Sequence, residues 1–281
     1  MVWAIMGMGS SRYAILPNGN IGIGCQRLTY FRGNAMHKLC AFVLGLLIFT
    51  DTYTRAAEIK ILSAKAPRQF LEELAPQFER ATNNKVIISY DEAGIIRRRI
   101  IDGEAFDLTV LPAGWDEIRA KISGGPIGIG HTDFGMAVLS NVPKPDTGSN
   151  DAVKRTLLAA KSIVYTDPQT GGIAGVLFAH MIERLGIANE INKKSKLVAG
   201  ALNATFLVKG EADLIAQLSS EILAVPGVQF VPVPPDFQAT VTFSGAIANS
   251  TKDAAATKAL LQFLTAPDAE AVIRAKGYEP G

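Results

Sequence analysis

Along residues 67–82 the apolar side chains of Phe70, Leu71, Leu74 and Phe78 recur at helical spacing. This predicts an amphipathic helix that Pro67 begins and Pro76 kinks or breaks. The pattern differs on either side. "IKILSA" (59–64) alternates and then turns apolar, and "KVIISY" (85–90) is short and β-branched, so both read as strands. "DEAGIIRRRIIDGEAF" follows as a second helix, with Ile95, Ile96, Ile100 and Ile101 on its buried side and Arg97, Arg98 and Arg99 on a solvated one. "DLTVLP" (107–112) reads as a third strand. Strand, helix, strand, helix, strand with short links describes βαβ units on a parallel sheet.

The glycine-dense "GGPIGIG" (124–130) reads as a connector to a second set. There, "FGMAVLS" (134–140) and "SIVYT" (162–166) are strands around the helix "DAVKRTLLAAK". "KLVAG" is a short strand, and "NATFLVKGEADLIAQ" a helix interrupted at its glycine. The apolar "FVPVP" (230–234) precedes a returning stretch, "ATVTFSGAIANS" (239–250), and two helices in 252–265 and 267–276 close the chain. The order fits an α/β chain of two βα lobes joined by crossover strands.

Composition, 48% hydrophobic and 19% charged over 281 residues, is that of a globular chain. The first 57 residues change that picture. Residues 36–57 carry a Met, a basic stretch, an apolar run from Leu39 to Phe49, and small residues ending in alanine. That is the layout of a secretory signal peptide cleaved after Ala56 or Ala57, and the run is too short to span a membrane. Residues 1–35 then read as an extension upstream of a true start at Met36. Both cysteines, Cys25 and Cys40, precede the cut, so the exported chain has no disulfide and no catalytic thiol. The full chain carries 28 basic and 26 acidic residues. Removing Arg12, Arg27, Arg32, Lys38, Arg55 and Asp51 leaves 23 against 25, a balance of −2. A nucleic-acid partner loses its electrostatic basis.

Helix starts carry the candidate chemistry. Ligands of parallel α/β sheets bind outside the carboxyl ends of the strands, where helix N-termini offer free N–H groups and partial positive charge. Three turns have small residues there: "SAKAP" (63–67), "DEAG" (91–94) and "TGGIAG" (170–175). On spacing alone the glycines serve a tight turn equally well. "GGIAG" is not G-x-G-x-x-G, and no G-x-x-x-x-G-K-[ST] occurs, which disfavours dinucleotide and phosphate-loop chemistry. His131 and His180 have no second ligand at metal spacing, and no G-x-S-x-G elbow exists. Neither a metal nor another cofactor is expected. Trp115 reads as packing.

The segments "LEELAPQFERAT", "AGIIRRRIIDGEAFDLTVLP", "VPKPD", "LLAAKSIVYTDPQTGGIAG", "IERLGIA", "GEADLIAQLSSEIL", "VPGV" and "LLQFLTAPDAEAVIRAKG" occur in an order that resembles the molybdate-binding-protein-like branch of the type II periplasmic solute-binding proteins. The resemblance implies a two-lobed fold, each lobe a βα sheet. Lobe 1 would be 58–133 plus 245–281 and lobe 2 134–244, with hinge strands near 132–136 and 242–246. It implies a periplasmic monomer that delivers a small anion to an ABC transporter permease. It puts the ligand against Ser63, Ala64, Lys65 and Ala66, against Ala93 and Gly94, against Gly171, Gly172 and Ile173, and near Ser219. Family members that hold molybdate use serines in the first two turns and a tyrosine in the fourth segment. Here Ala66, Glu92-Ala93-Gly94 and Ser219-Ser220 stand there, which weighs against a tetrahedral oxyanion and toward a carboxylate that Lys65 and Arg68 could pair with. The alternative is an isomerase of a small polycarboxylate such as aconitate, with Glu92 as proton acceptor.

Overall fold

Strand β1 (Glu58–Ala64) lies between β2 (Lys85–Asp91) and β3 (Leu108–Leu111), parallel to both. The coordinates are a computed structural model that describes residues 56–199 and 202–281. The expected leader, apart from Ala56 and Ala57, lies outside the described residues, as does the stretch before it.

Helix α1 (Arg68–Thr82) joins β1 to β2 and buries Phe70, Leu71, Leu74, Ala75 and Phe78. It passes through Pro76 without the expected break. Proline there removes one N–H bond to Glu72, whose exposed position leaves that carbonyl open to water. Helix α2 (Ala93–Ile101) is shorter than its sequence pattern predicts and buries Ala93, Ile96 and Ile100, while Ile101 is exposed. Its arginines are not simply solvated. Arg99 places Nε 2.6 Å from Glu104 Oε2 and donates through Nη2 to Ser89 Oγ at 2.9 Å. Arg97 Nη1 donates to the Ala113 carbonyl at 3.0 Å.

The long strand β4 (Ile122–Leu139) contains the glycine-dense stretch read as a connector. Its register shifts between Ser123 and Ile127 and again between Gly128 and Gly130, and these irregularities break the period-2 signal. Over residues 122–133 it pairs antiparallel with β9 (Thr240–Ala248), which also flanks β3. From Phe134 onward it pairs instead with β7 (Leu214–Leu218) and β8 (Val228–Pro232). One strand therefore belongs to two sheets. In the second, β5 (Ile163–Thr166) runs parallel to β7 and to β6 (Ser195–Val198).

Helix α3 (Asn150–Ala159) leads into β5, and its cap Ser149 Oγ accepts from the Ala152 N–H at 3.2 Å. Helices α4 (Ile173–Arg184) and α5 (Ala188–Asn192) follow. The expected interrupted helix over 203–217 is instead a short helix, α6 (Ala204–Val208), and the fully buried strand β7. An apolar run of that length does not distinguish a buried strand from a buried helix. After α7 (Ser219–Leu223) and β8, strand β9 returns to the first sheet. Helices α8 (Ala254–Leu264) and α9 (Pro267–Ala275) and strand β10 (Glu279–Pro280) then pack there, with β10 against Gly130 and His131.

Candidate functional site: a cleft where three helices begin

The strand ends of both sheets face a cavity of about 290 Å³. The β1–α1 turn contributes Ala64, Lys65 and Ala66, and α1 adds Arg68, Gln69 and Glu72. Glu92 and Ala93 come from the start of α2. Across the cleft lie Thr166 at the end of β5, then Gly172, Ile173 and Ala174 at the start of α4. Leu218 and Glu221 line it from the β7–α7 junction.

Six of the expected residues, Ala64, Lys65, Ala66, Ala93, Gly172 and Ile173, thus share one cavity. Gly94 and Gly171 meet each other at its margin, backbone against backbone. Ser63 and Ser219 do not line it. Ser63 is fully buried and its Oγ donates to the Ala64 carbonyl at 2.8 Å. Ser219 Oγ lies 2.8 Å from Thr132 Oγ1 and accepts from the Asp133 N–H at 3.3 Å, bracing the point where β4 changes sheets.

Local sequence explains how closely the walls approach. Gly172 is the N-cap of α4, and a methyl group there would come within 2.6 Å of Glu92 Oε2 and of the Thr166 side chain. Gly175, one turn further, presses the helix against the Thr166 backbone. Gly172 has no side chain with which to cap α4, and the carboxylate of Glu92 lies against that start.

The cleft is rich in carboxylates. Glu92 is only 8% exposed and accepts from Lys65 Nζ at 3.4 Å, and Asp91 Oδ1 lies 3.7 Å from the same ammonium. Arg68 pairs with Glu72 at 3.1 Å and stacks its guanidinium 4.6 Å over the Tyr90 ring. Desolvation deep in the cleft, followed by the charge of Glu92, pushes the Glu221 carboxyl up to about 8; a hydrogen bond from Gln217 and the charge of Lys65 oppose this. Glu221 is therefore mostly a neutral acid at pH 7, able to donate. The Ala66 carbonyl is held from behind by the Tyr278 hydroxyl at 2.7 Å. The sequence points to the segment around 217–222, but the residue of that segment's helix that lines the cavity is Glu221 and not the expected Ser219. Helical phase places Glu221, two residues on, at the cavity. Among the described residues no group of three His, Cys, Asp or Glu side chains is arranged to hold a metal ion.

The chain is similar to known proteins in sequence and fold. Residues 59–279 match the profile described as "Bacterial extracellular solute-binding protein". The chain is 29% identical over 258 residues to an aconitate isomerase of a Pseudomonas species, covering 86% of this chain and 97% of that one. It is 27% identical over 232 residues to the molybdate-binding protein ModA of Azotobacter vinelandii, covering 80% and 90% of the two chains. A solved periplasmic thiamin-binding protein superposes with a TM-score of 0.67 at 14% identity, over 81% of this chain and 84% of that one, a likeness of fold alone. The protein belongs to the bacterial extracellular solute-binding proteins and has the ModA-like, type II periplasmic binding fold.

Proposed function

We propose that the protein is an exported solute-binding protein that captures a small organic carboxylate in this cleft and passes it to an ABC importer. Residues 58–133 with 245–281, and residues 134–244, would act as two lobes hinged near 132–136 and 242–246. The observation that carries the reading is the lining of the cleft. Three helix starts and Lys65 favour a negative group, but where the oxyanion holders have serine hydroxyls and a tyrosine this chain has Ala66, Glu92-Ala93-Gly94 and Ser219-Ser220. A volume of about 290 Å³ is near the lower end of small-molecule sites, roughly 300–1,000 Å³, and large for a four-oxygen ion.

Among the described residues no helix is long and apolar enough to cross a membrane. For an exported chain, cleavage after Ala56 would be the better of the two sites. The Ala57 N–H donates to Asn84 Oδ1 at 2.9 Å and its carbonyl accepts from the Lys85 N–H at 2.8 Å, and a cut after Ala57 would lose both. Calorimetric titration of the ligand-free protein with mono-, di- and tricarboxylates tests the ligand class. Saturable binding by at least one carboxylate is expected, and silence across the panel would overturn the reading.

A second reading is an isomerase that moves a proton on a small polycarboxylate. Glu221 favours it: a neutral acid near an acceptor, Glu92, is the pairing that proton transfer requires. The relative named aconitate isomerase supports the same chemistry. Incubation with cis- and trans-aconitate, followed by proton NMR, separates the readings, because a binder leaves both isomers unchanged.

A further inference from the structure

We propose that Glu92 is the specificity-determining residue of the cleft: its carboxylate takes the anion seat at the start of α4, so that the site refuses small inorganic oxyanions. The inference rests on the reading of the cleft as a solute-binding site and names what that site excludes.

The geometry comes from both walls. Glu92 is the N-cap residue of α2, and its side chain reaches across to the other wall. Its Oε2 stands where a methyl group on Gly172 would be only 2.6 Å away, and its Cδ where that methyl would be 3.2 Å away. Gly172 is the N-cap of α4, a twelve-residue helix, and as a glycine it has no side chain of its own to cap the first N–H groups. A helix of that length presents partial positive charge and several N–H donors at this end. In a cleft that holds an oxyanion, the ligand would fill that position. Here a residue of the protein does so, and Lys65 Nζ, 3.4 Å from Glu92 Oε1, neutralises it from the other side. Glu92 is 8% exposed and lies within the cavity wall, so solvent does little to screen its carboxylate from an arriving anion. The missing side chain at Gly172 is what makes the approach possible.

A dianion such as molybdate or sulfate would have to dislodge Glu92 from both partners, or sit beside it against its charge. An organic ligand can avoid both by placing its carboxylate toward Arg68 and the start of α1, away from Glu92, with its remaining atoms against Ile173, Leu218 and Phe243.

The test is a gain of binding. Wild type, Glu92→Gln and Glu92→Ala are titrated calorimetrically with sodium molybdate and sodium sulfate in 0.15 M salt, where exposed charges are screened beyond roughly 8 Å. Thermal melts establish that each variant is folded; glutamine keeps the shape of the side chain, so that variant stands if alanine does not. The wild type is expected to take neither ion at millimolar concentration, and the folded variants to bind at least one of them ten-fold or more tightly than wild type. Binding of either ion by wild type, or folded variants with no gain, overturns the assignment of Glu92. A carboxylate panel on wild type reports separately on the solute-binding reading, so the two failures are distinguishable.

Discussion

Gly94 and Gly171 touch across the cleft: a methyl group on Gly94 would lie 2.8 Å from the Gly171 Cα, and one on Gly171 would lie 2.6 Å from the Gly94 Cα. Neither wall can yield, because each obstacle is backbone. Gly94→Ala is therefore expected to hold the walls apart, weakening ligand binding ten-fold or more with little change in melting temperature. Gly171→Ala adds a second penalty, since φ is +72° there and a side chain in the left-handed region costs roughly 1 kcal/mol. Titration of a bound carboxylate, with small-angle scattering for the radius of gyration, checks the pair. Unchanged affinity in Gly94→Ala would show that the contact has no part in closure.

The acid in the cleft makes stability depend on pH in an unusual direction. Glu221 is raised from 4.5 to about 8 in the folded chain. Between those values the folded protein holds a proton that the unfolded chain has released, so stability falls as pH rises through that window. The slope from one such group is at most about 1.4 kcal/mol per pH unit. Urea melts from pH 5 to 8.5 should show the decline in wild type and a flatter profile in Glu221→Gln, which is expected to be the more stable of the two at pH 8.

Glu104 acts at the other end of the scale. Its hydrogen bonds from Arg99 and Lys60 hold the carboxyl at about 2, below its usual 4.5. That stabilisation is present above pH 4.5 and lost as pH falls toward 2. The side chains are about a third exposed, so water screens the pair and the effect is on the order of 1 kcal/mol or less. Glu104→Gln should lower stability at pH 6 and converge with wild type near pH 2.5 in the same urea melts.

Much of this was legible from periodicity. The apolar stripe of α1, the alternation of β1 and the small residues at three helix starts each state their structure locally, and Ala66, Ala93 and Gly172 do share one cavity. The reading failed where the signal is not local. "DLIAQL" lies in the middle of a sheet, buried on both faces, so it carries no period at all, and its sequence predicts a helix where β7 stands. In "GGPIGIG" register shifts hide the strand, and Gly130 answers to a neighbour far along the chain, since a methyl group there would crowd Ile273. Glu221 was missed for a similar reason. A serine offers an obvious donor, whereas a carboxylic acid becomes one only after burial.

Tyr278 connects the chain end to the cleft. It is 1% exposed, its hydroxyl donates to the Ala66 carbonyl at 2.7 Å, and its ring packs edge-on against Phe70 at 5.1 Å. Burial, and then the charge of Glu221, push that hydroxyl well above the ordinary tyrosine range, so it stays a donor. Tyr278→Phe keeps the ring packing but leaves a buried carbonyl without its donor, at a cost of about 1–3 kcal/mol. The expected result is a melting temperature lower by several degrees together with a weaker grip on ligand, because Ala66 forms part of the wall.

Ser219 provides the complementary case, a residue close to the cleft in sequence but outside its lining. Its Oγ meets Thr132 Oγ1 at 2.8 Å, and Thr132 Oγ1 in turn accepts from the Ser220 N–H at 3.1 Å. Ser219→Ala breaks a link between α7 and the point where β4 leaves one sheet for the other, and removes no group from the cavity. Stability should fall by about 1–2 kcal/mol, the net worth of the two hydrogen bonds that Ser219 Oγ makes with Thr132 and the Asp133 N–H, while carboxylate affinity stays within about two-fold of wild type. A large loss of affinity without loss of stability would return Ser219 to the ligand's own contacts, and would mean that the cleft closes further around its ligand than the walls stand here.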